Sequence, residues 1–418
     1  LSTRATTLLT WLLCGLVAAV ASAGLVTQSG PRLYTSSSSS SSSGGAADGA
    51  TYSFTSPVSA SAPPSKEFLG GSAGPIASGT NNTAFSRTGW TKLSNSTTAD
   101  WYFSTVRSLN RSKSLLYDGA ARGESTAPGG NARGTQQYDT GASGYKKLHR
   151  STWYYWNWPH LDATNTQWKI QRWQHQTDHT GGGGPDVVDC YPPSAYVSSA
   201  QIHDNTPFSI FTENGTGPVT CDQAGLNTTS SQFVPRNAWF RLDTYMQENT
   251  PAGTGNGTYR IKVTEYATPS NTWTVTSTNR VWRGTLDVSD VYRYAIYQNY
   301  LGNSAELYGP WEESVIYIDD LYMGWVTSLS DTLYRVEMID TNNIATATHP
   351  GVIQDITAAS GTAWSVTLNA GHWSTVTGRY LVVIRCDDET VMGYVGPIAS
   401  LQPAANDYYF DQDVRLAA

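Results

Sequence analysis

The sequence predicts an all-β protein, a two-sheet jelly roll followed by a small β-sandwich. Three observations lead there. Short runs rich in β-branched and aromatic residues follow one another from about residue 100 to residue 395. Clusters of Gly, Pro, Asn and Asp separate several of them. After the N-terminal apolar run, no amphipathic pattern of helical length occurs.

The first 80 residues read differently. Arg4 precedes an apolar run, Leu8 to Val20, and the small-x-small triplet Ala21-Ser22-Ala23. This is the pattern of a secretory signal peptide over residues 1–23, cut before Gly24. A retained run would instead serve as an apolar helix that spans a bilayer or packs in a filament. The tract Ser36 to Ser43 and its Gly/Ala continuation cannot bury a core, so residues 24–80 are expected to be a flexible linker, with order starting near Thr51 or later.

From residue 81 to 327 the expected strands are Trp101–Val106, Thr152–Trp158, Trp168–His175, Pro207–Thr212, Trp239–Gln247, Thr258–Tyr266, Thr272–Val281, Tyr292–Tyr300 and Val315–Trp325. Turn signals at Asp178 to Gly184, Thr250-Pro251-Ala252-Gly253 and Thr268-Pro269-Ser270-Asn271 divide them. Over 328–418 five more strands follow: Leu333–Asp340, Val352–Ile356, Trp364–Leu368, Tyr380–Arg385 and Val391–Val395. That number suits a sandwich of immunoglobulin-like size.

The totals narrow the function. Charged residues make up 14% of the 418, the net charge is −7, and no basic block exists, which argues against nucleic acid as a partner. The chain holds 15 Trp and 25 Tyr but only 9 Phe. Rings with a polar tip favour half-wet positions. Either the core is rich in aromatics, or a surface stacks on flat hydroxylated ligands such as sugars. In an exported chain Cys190 and Cys221 would form a disulfide closing a loop worth about 3 kcal/mol. That leaves Cys386 as the odd thiol.

Four segments in order, WKIQRW (168–173), AWFRLDTYMQENTPAGTGNGTYRIKV (238–263), YRYAIYQNY (292–300) and VIYIDDLYMG (315–324), resemble the concanavalin A-like lectin and glucanase jelly rolls, which include polysaccharide lyases. The resemblance spans roughly residues 85–325. It implies a concave sheet whose open face holds an extended polymer. By strand parity Trp168 and Ile170 are expected in the core. Lys169, Gln171, Trp173 and His175 are expected in the groove, together with Arg241, Arg260, Lys262 and Asn299. Phe240, Leu242, Met246, Ile261, Val263 and Ile296 are expected inward.

The chemistry of such a groove has three readings. The first is polysaccharide binding, as an adhesion or surface protein, with no cofactor required. The second is a polysaccharide lyase that cleaves uronate-containing glycans by β-elimination. Gln201-Ile202-His203 is similar to the Gln-Ile-His signature of alginate lyases, which would make Gln201, His203 and a later tyrosine, Tyr297, catalytic. The Glu-x-Asp-x-(x)-Glu strand of the glucanases is absent, which disfavours retaining hydrolysis. The third reading is a structural subunit of a surface filament. The resemblance also implies a structural Ca2+ near Asp319 or Asp320, although alternation sets those two carboxylates on opposite faces of one strand.

Overall fold

A computed structural model describes residues 32–34, 47–71, 74–81, 83–92, 100–109, 114–118, 132–157, 168–175, 187–191, 206–207, 209–213, 226–227, 233–235, 237–280, 291–301 and 315–399. Of the strand residues singled out above, the side chains of Trp168, Lys169, Ile170, Arg172, His175 and Asn299 are among those not described. Gln201, His203 and Cys221 lie outside the described residues.

Two antiparallel sheets face each other. The eight-stranded sheet runs Thr272–Arg280, Gly257–Glu265, Trp239–Gln247, Lys147–Asn157, Val315–Val326, Ser114–Asp118, Asp100–Ser104, and Ser65–Phe68 pairs alongside Val315–Val326. The seven-stranded sheet runs Leu226–Asn227, Ser209–Glu213, Val187–Tyr191, Trp168–His175, Tyr292–Leu301, Ala132–Asp139, Trp90–Lys92. Thr206–Pro207 and Phe233–Val234 form a separate pair. Curled antiparallel sheets of this kind are those of a jelly roll.

Alternation accounts for the core of the eight-stranded sheet. Phe240, Leu242 and Met246 on one strand, and Ile261 and Val263 on the next, are buried together as expected. The turns expected between these strands form as well. Gly253 takes φ +79°, where a side chain would be strained, and Asn256 clamps Thr250 by accepting its N–H and donating to its carbonyl. At the next turn the amide of Asn271 donates to the carbonyl of Thr268 at 2.7 Å.

In the seven-stranded sheet the observed parity is the reverse of that expected. Gln171 and Trp173 are both fully buried, and Trp173 lies in the core between the sheets with Ala295 and Tyr297. Ile296, expected inward, is buried but stands outside that cluster. The physical reason is that the inward row carries its own polar partners. The Thr244 hydroxyl donates to Gln171 Oε1 at 2.9 Å, and Gln171 Nε2 donates to the Tyr154 hydroxyl at 3.2 Å. The Arg150 guanidinium lies 3.8 Å from the ring centre of Trp173 and donates to the Ile296 carbonyl at 3.0 Å. A buried amide bonded at both ends, and a buried cation held by a ring face and one carbonyl, make apolar alternation unreadable in the sequence.

The C-terminal sheet runs Val391–Val395, Tyr380–Arg385, Tyr334–Ile339, Val352–Thr367 and then Thr51–Ala60. The segment expected to be linker therefore supplies a strand here, with Phe54 opposite Trp364, and Ser65–Phe68 supplies another to the eight-stranded sheet. Phe54 is buried with Val336, Met338, Trp364, Val366, Leu381 and Val383 in a core separate from that of the jelly roll. Val352–Ile356 and Trp364–Leu368, expected as two strands, are the arms of a hairpin: the chain turns back near Gly361, at φ +58°, so that Gln354 donates to the Asn369 carbonyl and the Thr357 hydroxyl to that of Ser365, while the arms pair outward with Tyr334–Ile339 and Thr51–Ala60.

Candidate functional site

The expected groove joined residues of two segments that the fold separates. Trp168–His175 belongs to the seven-stranded sheet, and Arg241, Arg260 and Lys262 belong to the eight-stranded one. Of the first group, Gln171 and Trp173 are sealed in the core. The parity of the second group is as expected, with Arg241, Asp243, Tyr245, Arg260 and Lys262 on the face away from that core. Part of this face, however, is covered by the C-terminal sheet.

The cover is ionic. Arg241 donates to Glu337 through both terminal nitrogens, at 3.1 and 3.0 Å, to Asp243 at 2.8 Å, and to the carbonyl of Gly351 at 2.6 Å. Arg335 donates to Glu337 at 2.7 Å and to both oxygens of Glu389 at 2.6 Å. Arg260 reaches Glu389 at 2.7 Å and also donates to the carbonyl of Cys386, and Lys262 reaches Glu389 at 3.1 Å. Four cations thus meet three carboxylates. His149, 3.7 Å from Asp243, is held neutral by burial, helped by Arg335, so its pKa lies well below the ordinary value. Burial raises the carboxyl pKa of Glu337, but Arg241 and Arg335 overcome it and hold the group down to about 2. Two backbone details accommodate the join. Glu389 sits at φ +63°, a strained position for a residue with a side chain. Gly351 leaves room for the Glu337 carboxylate, with which a Cβ would collide.

Beside this join the same face stays open. Tyr245, Gln247, Thr258, Arg260, Lys262, Thr274, Thr276, Thr278, Asp387, Asp388 and Glu389 line a trough of about 560 Å3. Cross-strand register explains its floor, with Tyr245, Arg260 and Thr276 in one row and Asp243, Lys262 and Thr274 in the next. The strand TWTVTSTNR alternates strictly, so Thr272, Thr274, Thr276 and Thr278 share one exposed face. Successive hydroxyls on such a face repeat at about 6.7 Å. On the wall, Asp387 and Asp388 both pair with Arg385. Burial raises the carboxyl pKa of Asp387, while the hydrogen bond from Arg385 lowers that of Asp388.

The sequence marked Arg260 and Lys262 for this region, and both do line the trough. It missed the threonine row, whose signal was the unbroken alternation Thr-x-Thr-x-Thr-x-Thr. The ring-bearing surface that the Trp and Tyr content allowed has no counterpart among the described residues. No Trp or Tyr whose burial is described is more than partly exposed, so the described rings are core and interface residues.

The remaining expected site residues are placed as follows. Tyr297 is buried between the sheets, where burial, opposed by Arg150, pushes its hydroxyl up to about 12. Asp319 Oδ1 accepts the amide of Asp320 and Oδ2 accepts that of Leu109, both at 2.9 Å. The two oxygens of Asp320 accept from Gly71 and Asn369, each at 3.4 Å. These carboxylates hold neighbouring chain, and among the described residues no three of His, Cys, Asp and Glu gather as ion ligands. The pairing of Cys190 with Cys221 falls outside the described residues.

No protein-family model matches this chain, and no curated protein matches its sequence. Among solved structures, an alginate lyase of Aplysia kurodai aligns with 54% of the chain and 87% of its own length at 12% identity and a TM-score of 0.39. An endo-β-1,4-glucuronan lyase from the fungus Trichoderma reesei aligns over 59% and 96%, at 10% identity and a TM-score of 0.39. Basic winged bean lectin in complex with Tn-antigen aligns over 66% and 98%, at 8% identity and a TM-score of 0.33. Likeness of this degree assigns no activity, so the functional reading rests on the site itself.

Proposed function

We propose that this protein is a secreted polysaccharide-binding protein, and that the glycan lies along the trough beside the edge strand Thr272–Arg280. The observation that carries the reading is the row of three exposed threonine hydroxyls, Thr274, Thr276 and Thr278, flanked by Gln247, Thr258 and the partly exposed Lys262. Hydroxyls and an amide both donate and accept, as a polyol ligand requires. The N-terminal apolar run and its small-x-small triplet support export.

Binding is favoured over elimination by the occupancy of the cations. A lyase needs donors free to neutralise the charge that develops at a uronate. Arg241, Arg260 and Lys262 are already engaged with Glu337 and Glu389. Tyr297, the acid/base that the resemblance implied, is closed off from both outer faces.

The test is retention of the full chain on insoluble glucan, xylan, chitin and cross-linked alginate, with ultraviolet absorbance followed on alginate, glucuronan and pectate. Retention on at least one polymer is expected, with no rise in absorbance. The double substitution Thr274→Val and Thr276→Val should weaken it about tenfold, two hydrogen bonds at about 0.7 kcal/mol each. No retention on any polymer, or retention indifferent to the double substitution, refutes the assignment to this trough. Absorbance growing on a uronate polymer restores the lyase reading.

A further inference from the structure

We propose that His349 and His372 form a binding site for a divalent transition-metal ion, zinc in the first instance, at one end of the C-terminal sheet. It is independent of the glycan trough. The two imidazole rings stand 4.9 Å apart between centres, tilted by 37°. Two imidazoles on one tetrahedral ion, with Zn–N bonds of about 2.0–2.1 Å, bring their centres to about 5 Å.

The hydrogen bonds around His349 prepare it as a ligand. The Thr348 hydroxyl donates to the carboxylate of Asp340, which can only accept when ionised. That hydroxyl also lies 2.9 Å from His349 Nδ1. Its proton being committed to Asp340, the oxygen accepts, and the proton of His349 sits on Nδ1. Nε2 then carries the lone pair. A carboxylate fixing the tautomer of a histidine from behind is the usual support of a metal-bound imidazole, here relayed through a hydroxyl.

His372 supplies the second, independent observation. Both of its ring nitrogens are shielded from solvent, and neither has a hydrogen-bond partner. A half-buried imidazole whose two nitrogens are both shielded and unmatched has room for a partner that is not protein. Tyr266 and Trp373 close the surroundings, with ring centres 5.3 and 4.2 Å from His372. Arg379 opposes a cation there, and Asp340 favours it. The remaining positions on the ion are left to solvent on the side of the more exposed His349.

The experiment titrates Zn2+ into the full chain, freed of metal with chelator, by calorimetry and by thermal unfolding. One ion per chain attributable to this pair is expected. At a hundredfold excess over Kd it should raise Tm by about 3 °C. His349→Gln alters an exposed ring and should abolish that ion and the Tm rise together, and His372→Gln should do the same. Cobalt in place of zinc should give a visible absorption band that both variants lose. Absence of binding to the native chain, or binding and Tm rise unchanged in His349→Gln, overturns the assignment. Should His372→Gln fail to fold, His349→Gln decides alone.

Discussion

Replacing Glu337 by Gln removes one charge from the buried join between the jelly roll and the C-terminal sheet, and the structure supplies the size of the effect. The carboxylate is 1% exposed and accepts from Arg241 and Arg335. Its pKa falls from 4.5 to about 2. At about 1.4 kcal/mol per pH unit, this is about 3 kcal/mol of stability at neutral pH. The side chain is buried, so solvent screening takes little from the figure. A folded-state pKa below the unfolded one means the contribution is complete above pH 4.5. It declines as pH falls from about 4.5 to about 2 and is gone below that. Glu389, held well below its ordinary value against burial by Arg335 and Lys262, acts in the same sense. Urea unfolding of the native chain and Glu337→Gln should therefore differ by about 3 kcal/mol at pH 7, with the gap closing progressively below pH 4.5. An equal gap at pH 7 and pH 2 would show that the loss is one of packing. No gap at pH 7 would show that the pair is offset by its own desolvation, the known alternative for buried ions.

Three further outcomes are expected. Gln171→Met, close in size, leaves the Thr244 hydroxyl without its acceptor and should cost about 2 kcal/mol while leaving glycan retention unchanged; reduced retention at full stability would return Gln171 to the ligand surface. Trp173→Phe should cost about 2 kcal/mol in thermal unfolding through the weakened contact with the buried Arg150 guanidinium, and a neutral result would remove that contact from the core's energetics. Burial pushes the thiol of Cys386 up to about 12, so at pH 8 it is protonated and closed to reagent. Peptide mapping should find Cys386 alkylated only after denaturation, and rapid labelling of the native chain would contradict the buried placement.

The all-β class was determined by the sequence alone, and so were most strand positions of the jelly roll, the turns at Thr250-Pro251 and Thr268-Pro269, and the inward set Phe240, Leu242, Met246, Ile261 and Val263. These follow from local rules, namely a period of two, turn-forming residues and β-branched runs. Where one face of a strand is apolar and the other polar, parity needs no partner to be read. On Trp168–His175 both faces are mixed, and the facing sheet decides between them. Arg150, Thr244 and Tyr154 supply partners that bring Gln171 and Trp173 inward, and residues up to 73 positions away cannot be matched from spacing. The same holds for Arg241, Arg260 and Lys262. Their outward parity was legible, but the carboxylates that cover them come from Glu337 and Glu389, 96 to 129 residues later. Thr51–Ala60 looked like linker because its composition buries little alone, and it became a strand because Val352–Thr367 offers it an edge. What reaches solvent on a strand's polar face depends on what the rest of the chain lays over it, and a row of exposed threonines is left where nothing described does.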